Sequence, residues 1–337
     1  MDSDKKTDAS SQNLTLVAPS QLELTAAIES NDLPSLVASA GPGARFAWEE
    51  FIYAKIRNKH TRRAYEHSIR SFLSKCESIG RSLPHVSPRD VADYLDGLDV
   101  GPSTKKVHLS ALRHFFDCLV TRHVVVLNPA NSVRSERLSV VEGKTPEVSK
   151  EQVRKLFQSI DHLSVVGLRD RAIIGVLVYT AARVGAVANL RMGDFVDLGD
   201  QHSLRFREKG GKQREIPARY DLNAFISEYI LCAGLNDADK ATPLFRSTVR
   251  RTRELTENGM TANDMGRMVK RRIKQAGLPP HLSPHSFRVT TITDLLSQGV
   301  PLEDVQHLAG HADPRTTRLY DRRSRQVSRN IVERISI

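Results

Sequence analysis

Apolar residues in the first part of the chain recur with the period of amphipathic helices. They repeat every three or four residues over 46–57, 61–79 and 102–120. A further helix is predicted to begin at Ser87 and Pro88, because a serine caps a helix and a proline suits its first turn. The apolar positions that define these four helices are Phe46, Phe51, Ile52, Ala64, Tyr65, Ile69, Phe72, Leu73, Val91, Tyr94, Leu95, Val107, Leu112, Phe115, Phe116 and Leu119.

The second part of the chain combines helical patterns with two short runs of β-forming residues. The runs cover 203–207 and 213–217, and the Gly-Gly turn between them is typical of a hairpin. Two more serines are predicted helix caps. Ser103 is in the first part of the chain, and Ser149 is in the second, where it forms a capping box with Gln152. The predicted fold class is therefore mainly α with a small antiparallel β-sheet. The helices predicted here are 149–159, 167–181, 221–233, 261–276, 284–298, 301–308 and 314–321.

Stretches without periodicity divide the chain into domains. Residues 1–42 are predicted to be a flexible arm, and it is acidic, because its first 40 residues hold six acids and two bases. A helical domain is predicted over 43–130, a linker over 131–148 and a second domain over 149–323. Residues 324–337 carry an apolar stripe and are predicted to form a tail helix, packed either on a neighbouring protomer or on its own domain.

The balance of charges favours a polyanionic partner. Lys and Arg total 50 against 39 Asp and Glu, which gives a formal charge of +11 and an isoelectric point near 9.7. Since the first 40 residues carry −4, residues 41–337 carry +15. Many nucleic-acid-binding proteins are basic to this degree, but composition alone does not identify the partner.

Cysteine usage and hydropathy bear on the compartment. Cys76, Cys118 and Cys232 are odd in number and show no CxxC spacing, which argues against a disulfide framework and a zinc ribbon. No signal-peptide core follows Met1, and the longest apolar run, 172–182, is too short to span a bilayer. We therefore expect a soluble protein in the reducing cytoplasm, with no membrane partner.

The stretch SPHSFR, residues 283–288, has the features of an anion site. Ser283 and Pro284 suit the start of a helix, and His285 and Arg288 lie three residues apart on one face. Free backbone N–H groups, an imidazole and a guanidinium then converge at one helix N-terminus. A capped helix with two polar surface residues fits the same six residues.

Two more basic residues stand where they can meet an anion. Arg183 follows a small-residue step at the end of an apolar helix, where an arginine needs a charged partner. Lys209 lies at the Gly-Gly turn, on a two-stranded finger that can enter a groove. Simpler interpretations stay open, a structural ion pair for Arg183 and a solubilising role for Lys209.

Two histidine pairs raise the question of a metal. His281 with His285, and His307 with His311, are four residues apart, the spacing at which one helix presents two zinc ligands. A proline and a glycine interrupt those helices, and no third ligand lies at a useful spacing. We therefore expect neither a metal nor another cofactor.

A tyrosine stands among arginines in the stretch GHADPRTTRLYDRR, residues 310–323. Asp313 and Pro314 are predicted as the cap and first residue of a short helix that carries Tyr320 about two turns in. His311 lies in the turn before that helix, nine residues from the tyrosine.

The ordered set of these residues resembles the tyrosine recombinase family, also called the phage-integrase or lambda-integrase family, and in particular its Xer-like two-domain members. The resemblance covers nearly all of residues 45–322. Each motif is weak by itself, whereas HxxR, then GH, then a tyrosine nine residues after that histidine is a specific combination. The matching residues are Arg183, Lys209, His285, Arg288, His311 and Tyr320.

The resemblance implies a role for each of these residues. Tyr320 is implied as the nucleophile that forms a 3′-phosphotyrosyl bond with DNA and frees a 5′-hydroxyl. His285 is implied as proton acceptor or phosphate donor, and Lys209 as the general acid for the leaving oxygen. The remaining implied phosphate ligands are Arg183, Arg288 and His311.

The resemblance also implies a fold and partners. The helical core-binding domain, which is SAM-like, and the catalytic domain are expected to form a C-shaped clamp on double-stranded DNA with inverted-repeat core sites. A monomer is expected to assemble into a homotetramer in the synaptic complex, with an accessory DNA-bending protein or a partner recombinase as further candidates. The basic residues expected to contact DNA are Arg62, Arg63, Lys105, Lys106, Lys212 and Arg315.

Two departures from the family pattern keep alternatives open. Ala186 stands where the family commonly has an acidic residue, and Val289 where relatives often have histidine. The sequence predicts integration, excision or transposition of a mobile element. Replicon-dimer resolution by the same chemistry, a catalytically silent DNA-binding relative and a type IB topoisomerase are the alternatives.

Overall fold

The chain divides into two compact units, Met1–Ser139 and Val140–Ile337. The predicted tail helix 324–337, most of the predicted arm and the Gly-Gly turn lie outside the described residues. Within those residues, no helix has both the length and the apolarity that crossing a membrane requires. The computed structural model describes residues 33–135, 145–207, 213–249, 252 and 254–321.

The described part of the first unit is helical. It also contains a π-helical turn over Glu50–Lys55 and a 3-10 turn over Leu83–His85. The helices are α1 Ser35–Ser39, α2 Pro42–Glu49, α3 Lys59–Ser78, α4 Pro88–Asp96 and α5 Pro102–Thr121.

The two capping predictions for this unit have different outcomes. Ser87 caps α4 as predicted: the N–H of Asp90 donates to its Oγ at 3.3 Å, and its own N–H donates to Asp90 Oδ2 at 2.8 Å. The prediction for Ser103 is wrong, because α5 begins one residue earlier, at Pro102. A proline at the first helical position has no N–H that needs a cap.

Aromatic side chains fill the core of the first unit. Phe51, Phe72, Phe115 and Phe116 are each at most 1 % exposed. The rings of Phe51 and Phe115 meet edge to face with centroids 5.7 Å apart, and those of Phe72 and Phe116 at 6.0 Å. This geometry suits the quadrupoles of the rings and adds to the free energy gained by burial.

Three predicted core positions of the first unit, Phe46, Ala64 and Val107, lie at its surface. Phe46 is 53 % exposed, and the guanidinium of Arg122 lies over its ring, with Cζ 4.2 Å from the ring centroid. Val107 is 39 % exposed, because the buried stripe of α5 begins at the next residue, His108. All three apolar residues lie beside the stripe of their helix, where spacing alone does not separate them from it.

The packing extends past the predicted domain bounds. Val37 is fully buried in the core of the first unit, although it falls in the stretch 1–42 that was predicted as an arm. Within the predicted linker 131–148, Val133 packs against the first core and Val148 is buried in the second. Single apolar residues in polar stretches produce no periodic signal, so the sequence pattern did not reveal them.

The second unit combines helices with two small antiparallel sheets. Ser149 and Gln152 form the predicted capping box at the start of its first helix. Its described helices are α6 Lys150–Gln158, α7 Val165–Thr180, α8 Val184–Ala188, α9 Tyr220–Cys232, α10 Ala262–Gln275, α11 Pro284–Ser297, α12 Leu302–Ala309 and α13 Pro314–Arg318. Its described strands are β1 Phe195–Asp197, β2 His202–Arg207, β3 Gln213–Pro217, β4 Arg246–Thr248 and β5 Leu255–Gly259.

The larger sheet confirms the predicted hairpin and the predicted fold class. Its order is β1-β2-β3, with every pair antiparallel. Leu204 lies opposite Ile216, and Phe206 opposite Arg214, so these side chains share a buried face. Strands β1, β4 and β5 were not predicted, because their sequences, FVD, RST and LTENG, do not alternate apolar and polar residues.

Helix α7 is the centre of the second unit and packs against α9 and α11. Gly175 permits the close approach of α9, because a Cβ at this position would lie 3.1 Å from side-chain carbons of Leu222 and Phe225. A separate apolar group lies at the C-terminal end of α7, and we call it the tyrosine cluster. Its buried members are Ala181, Val289, Ile292, Leu296, Val305, Ala309 and Tyr320.

Candidate active site

A left-handed residue ends α7 and starts the site. Ala181 is fully buried and has φ 50° and ψ 23°, a conformation that costs free energy for any residue with a Cβ. The reversal places Arg183, which is exposed, directly before the first turn of α8. It also turns the carbonyl oxygen of Ala181 toward Arg288, whose Nη1 donates to it.

Arg288 is held from two sides inside the unit. The residue is 1 % exposed, and its Nη2 donates to the carbonyl oxygen of Ala309, at the end of α12, at 2.6 Å. Together with the bond to Ala181, this joins α11 to the ends of α7 and α12. Backbone carbonyls orient a guanidinium without cancelling its charge, so Arg288 remains a cation at this point.

His311 is placed by a left-handed glycine at the end of α12. Gly310 has φ 61° and ψ 42°, a conformation that glycine adopts at little cost. His311 is 7 % exposed, and its Nδ1 lies 2.9 Å from Thr317 Oγ1. Its ring stacks on the ring of Tyr320, with centroids 5.7 Å apart and planes 8° apart.

Tyr320 lies beside His311, but it is not on a helix. Asp313 caps α13 as predicted, yet the helix ends at Arg318 and Tyr320 follows in the turn, where its N–H donates to the carbonyl of Thr317 at 3.0 Å. The prediction of a tyrosine two turns into a helix over 314–321 is therefore wrong. Tyr320 is 8 % exposed, and its hydroxyl lies 3.4 Å from Nε2 of His285.

The environment favours neutral imidazoles. Desolvation and then the charges of Arg288 and Arg183 lower the pKa of His285. The same causes, followed by the charges of His285 and Arg214, lower the pKa of His311 to about 3. A neutral imidazole has one nitrogen that accepts a proton and one that donates a hydrogen bond, so each ring can do either at neutral pH.

No metal site accompanies these histidines in the part of the chain that the structure describes. None of its groups of three or more His, Cys, Asp or Glu side chains is arranged to hold a metal ion. His285 and His311 both face Tyr320 instead.

Two further side chains, which the sequence motifs did not indicate, shape the site. Thr317 is fully buried and is the partner of His311 Nδ1. Arg214 on β3 is 6 % exposed, its guanidinium lies 5.2 Å from the ring centroid of Phe206, and its charge acts on His311. The alternation in QREIP did carry a signal, because Arg214 shares the inward face with Ile216.

Ala186, the departure from the family pattern, lies on α8 and packs against the main apolar core. Lys209 and Lys212 lie outside the described residues. Of the predicted DNA contacts, Arg62 donates through Nε and Nη2 to the carbonyl of Ile56. Lys105 is half-buried, and the remaining three, which are exposed, are Arg63, Lys106 and Arg315.

Known protein families match the sequence of both units. A family model described as "Phage integrase family" matches residues 147–326, and one described as "Phage integrase, N-terminal SAM-like domain" matches 47–123. The tyrosine recombinase XerD of Pseudomonas putida is 30 % identical over 266 residues, which are 77 % of this chain and 86 % of that protein.

Two solved structures have a similar fold at low sequence identity. The XerH site-specific recombinase bound to palindromic difH substrate, in a post-cleavage complex, gives a TM-score of 0.65 at 18 % identity and covers 85 % of this chain and 92 % of that one. A lambda integrase tetramer bound to a Holliday junction gives 0.62 at 18 % identity, with coverage of 89 % and 84 %. Since the first family match alone spans more than half of its residues, the chain belongs to the phage integrase family of tyrosine recombinases.

Proposed function

We propose that this protein is a site-specific DNA recombinase that cleaves one DNA strand with Tyr320 and holds it as a 3′-phosphotyrosyl intermediate. The observation that carries the proposal is the placement of this phenol. Its hydroxyl lies 3.4 Å from His285 Nε2, and its ring lies flat against His311. These contacts support Tyr320 as the nucleophile and His285 as its base.

The first step transfers a phosphoryl group from the DNA to the protein. The phenolic oxygen attacks the phosphorus while its proton passes to Nε2 of His285, whose pKa is lowered by desolvation and then by the nearby arginines. The bond from phosphorus to the 5′-oxygen breaks. We assign the proton that this oxygen needs to Lys209, on the motif match alone.

The transition state gathers negative charge on the phosphorus oxygens. We assign Arg183 and Arg288 as the cations that bind them, because guanidinium groups match phosphate in charge and geometry. If Thr317 donates to Nδ1 of His311, the neutral ring carries its proton on Nε2 and donates it to the same oxygens. Two cations and one neutral donor then stabilise the phosphorane.

A second step completes strand exchange. A 5′-hydroxyl from a partner duplex attacks the phosphotyrosyl bond, reforms a phosphodiester and releases Tyr320. Over the cycle one phosphodiester and one phosphotyrosyl bond break and one of each forms, so the exchange needs no high-energy cofactor. Because exchange joins two duplexes, we propose double-stranded DNA with inverted-repeat core sites as substrate and a homotetramer of free monomers as the synaptic assembly.

The proposed setting is the integration, excision or transposition of a mobile element, with replicon-dimer resolution by the same chemistry as the alternative. The sites themselves distinguish the two settings, so footprinting on DNA selected for binding is the informative measurement. A DNA substrate and the free thiols of Cys76, Cys118 and Cys232 fit a cytoplasmic protein.

A nicked duplex that loses its 5′ end after cleavage tests the proposed function. On a site recovered by binding selection, the wild-type protein is expected to accumulate a covalent protein–DNA adduct. Tyr320→Phe is expected to bind the same DNA and form none. Tyr220→Phe, at a tyrosine that is 88 % exposed and outside the site, is the matched control.

Ala186 motivates the second candidate, a catalytically silent DNA-binding relative. A carboxylate at this position is common in the family and absent here. Sequence-specific binding by the wild-type protein with no adduct would support the silent alternative and contradict the proposed function. Relaxation of supercoiled DNA without site preference would instead favour a type IB topoisomerase.

A further inference from the structure

The second unit contains a basic cavity at the N-terminal end of α7, whereas Ala181 lies at the C-terminal end of that helix. Its volume is about 600 Å³, and it opens beside Ser164, the N-cap of α7. Residues of α7, of α10 and of the β4–β5 hairpin line it. Among them are Arg169, Arg267, Arg271, Arg272, Ser247 and Thr248, and we call this the arginine cavity.

The floor of the arginine cavity has more positive than negative charge. Asp170 is fully buried, and its carboxylate accepts hydrogen bonds from Arg169 Nη2 at 2.7 Å, Arg272 Nε at 2.9 Å and Arg271 Nη2 at 3.1 Å. Asp161, Asp264 and Arg267 also line the cavity, so four guanidiniums face three carboxylates, which leaves one positive charge. The side chains of Arg169 and Arg272 are 3 % and 12 % exposed, so water screens this excess poorly.

The wall of the cavity offers hydrogen-bond donors to a ligand. The side chain of Arg271 is 52 % exposed although it also binds Asp170, and hydroxyl groups of Ser247 and Thr248 lie beside it. The N-terminal end of the 16-residue helix α7 adds a positive dipole. Guanidiniums, hydroxyls and a helix N-terminus are the usual protein ligands of a phosphate group.

We propose that the arginine cavity binds a backbone phosphate of the DNA, as a second phosphate anchor apart from the cleavage site. This inference rests on the proposed function for its ligand. Helix α7 is about 24 Å long at 1.5 Å per residue. Because the cavity and the cleavage site lie at opposite ends of this helix, the anchored phosphate is a different one from the scissile phosphate.

The test compares two charge-neutralising variants of the same helix. Arg271→Gln removes a charge from the cavity, whereas Lys274→Gln removes one from an exposed position of α10 outside it. Arg271→Gln is expected to bind DNA about tenfold more weakly and to lower the slope of log affinity against log salt by about one. Lys274→Gln is expected to stay within about twofold of the wild type.

Phosphate-ethylation interference locates the contact. In the wild type and in Lys274→Gln, ethylation of one phosphate away from the cleavage position is expected to weaken binding through the cavity. In Arg271→Gln this interference is expected to vanish, while interference at the scissile phosphate remains. Equal behaviour of the two variants overturns the proposal, and their thermal unfolding midpoints show that both are folded.

Inorganic phosphate, titrated without DNA and followed by the thermal midpoint, tests a free anion as the occupant. A stabilisation by phosphate that Arg271→Gln removes, together with unchanged DNA affinity, assigns the cavity to a free anion and overturns the DNA contact. A failure of the proposed function would be seen in a different experiment, because the wild type would form no adduct on the nicked duplex. The DNA affinities of Arg271→Gln and Lys274→Gln would still test the cavity.

Discussion

The two ends of helix α7 hold arginines in different ways. At the C-terminal end, hydrogen bonds from Arg288 go to the carbonyl oxygens of Ala181 and Ala309. At the N-terminal end, three guanidiniums share the carboxylate of Asp170. One end also carries two histidines whose pKa values are lowered, and the other carries an acid that forms ion pairs.

The difference shows how one helix can serve two purposes. Carbonyl oxygens fix the direction of Arg288, which suits the proposed binding of a phosphate that gains charge during the reaction. A carboxylate fixes the arginines and neutralises one of them, which suits the binding of a phosphate whose charge stays constant. The following predictions test this contrast, from the largest expected effect to the smallest.

Asp170→Asn removes the charge that holds the N-terminal end together. Three guanidiniums would then share a neutral amide inside the unit, and we expect the free energy of unfolding to fall by about 3–5 kcal/mol. Urea unfolding measures this change. A loss below about 1 kcal/mol would show that the arginines do not depend on the carboxylate.

Arg288→Lys keeps a charge at the C-terminal end but removes the fork that reaches two carbonyls. We expect adduct formation on the nicked duplex to slow by about 10²–10³-fold, because an ammonium cannot bind both carbonyls and present donors to the phosphate. DNA affinity should change far less than this rate. An equal loss of affinity and rate would place Arg288 in DNA binding rather than in the transition state.

His311 makes the stability of the second unit depend on pH. Its pKa is about 3 in the folded protein and 6.5 in the reference state, so between these values the unfolded chain binds a proton that the folded one does not. The free energy of unfolding should therefore fall as the pH drops below 6.5, by up to about 1.4 kcal/mol per pH unit.

Urea unfolding between pH 7 and pH 5 checks this slope. His311→Asn should reduce it, while His281→Asn, at an exposed position of the same unit, should keep it. Equal slopes in all three proteins would contradict a buried neutral His311.

Ala181→Gly should have the smallest effect and a favourable sign. The left-handed conformation costs roughly 1–2 kcal/mol for a residue with a Cβ, and glycine removes this strain. Part of the stabilisation is lost, because glycine also gives the unfolded chain more conformational entropy. We expect stability to rise by up to about 1 kcal/mol and adduct formation to stay near the wild-type rate. Ala181→Val should lower both, and a neutral result for valine would mean that the turn does not position Arg288.

Local patterns predicted much of the fold. Helices α3, α5, α7, α10 and α11 begin and end within two residues of the predicted bounds, because helical periodicity and capping residues are encoded in neighbouring positions. The exposed positions of Phe46 and Val107 were missed, since both are apolar and lie next to a buried stripe.

The site was predicted by the order of its motifs rather than by periodicity. That order indicated which residues belong together, and the structure places Arg288, His285, His311 and Tyr320 around one point. The left-handed Ala181 gave no local signal, because alanine usually adopts helical or extended conformations. The pairing of Asp170 with Arg272 gave no local signal either, because the two residues are 102 positions apart in the sequence.

The tyrosine cluster would give the proposed covalent intermediate a mechanical property. Tyr320 is packed with apolar side chains from the end of α7, from α11 and from α12. If its oxygen carries the DNA strand as proposed, tension in that strand acts on the ring and is borne by the same packing. The cleaved end is then attached to an apolar anchor until it is rejoined.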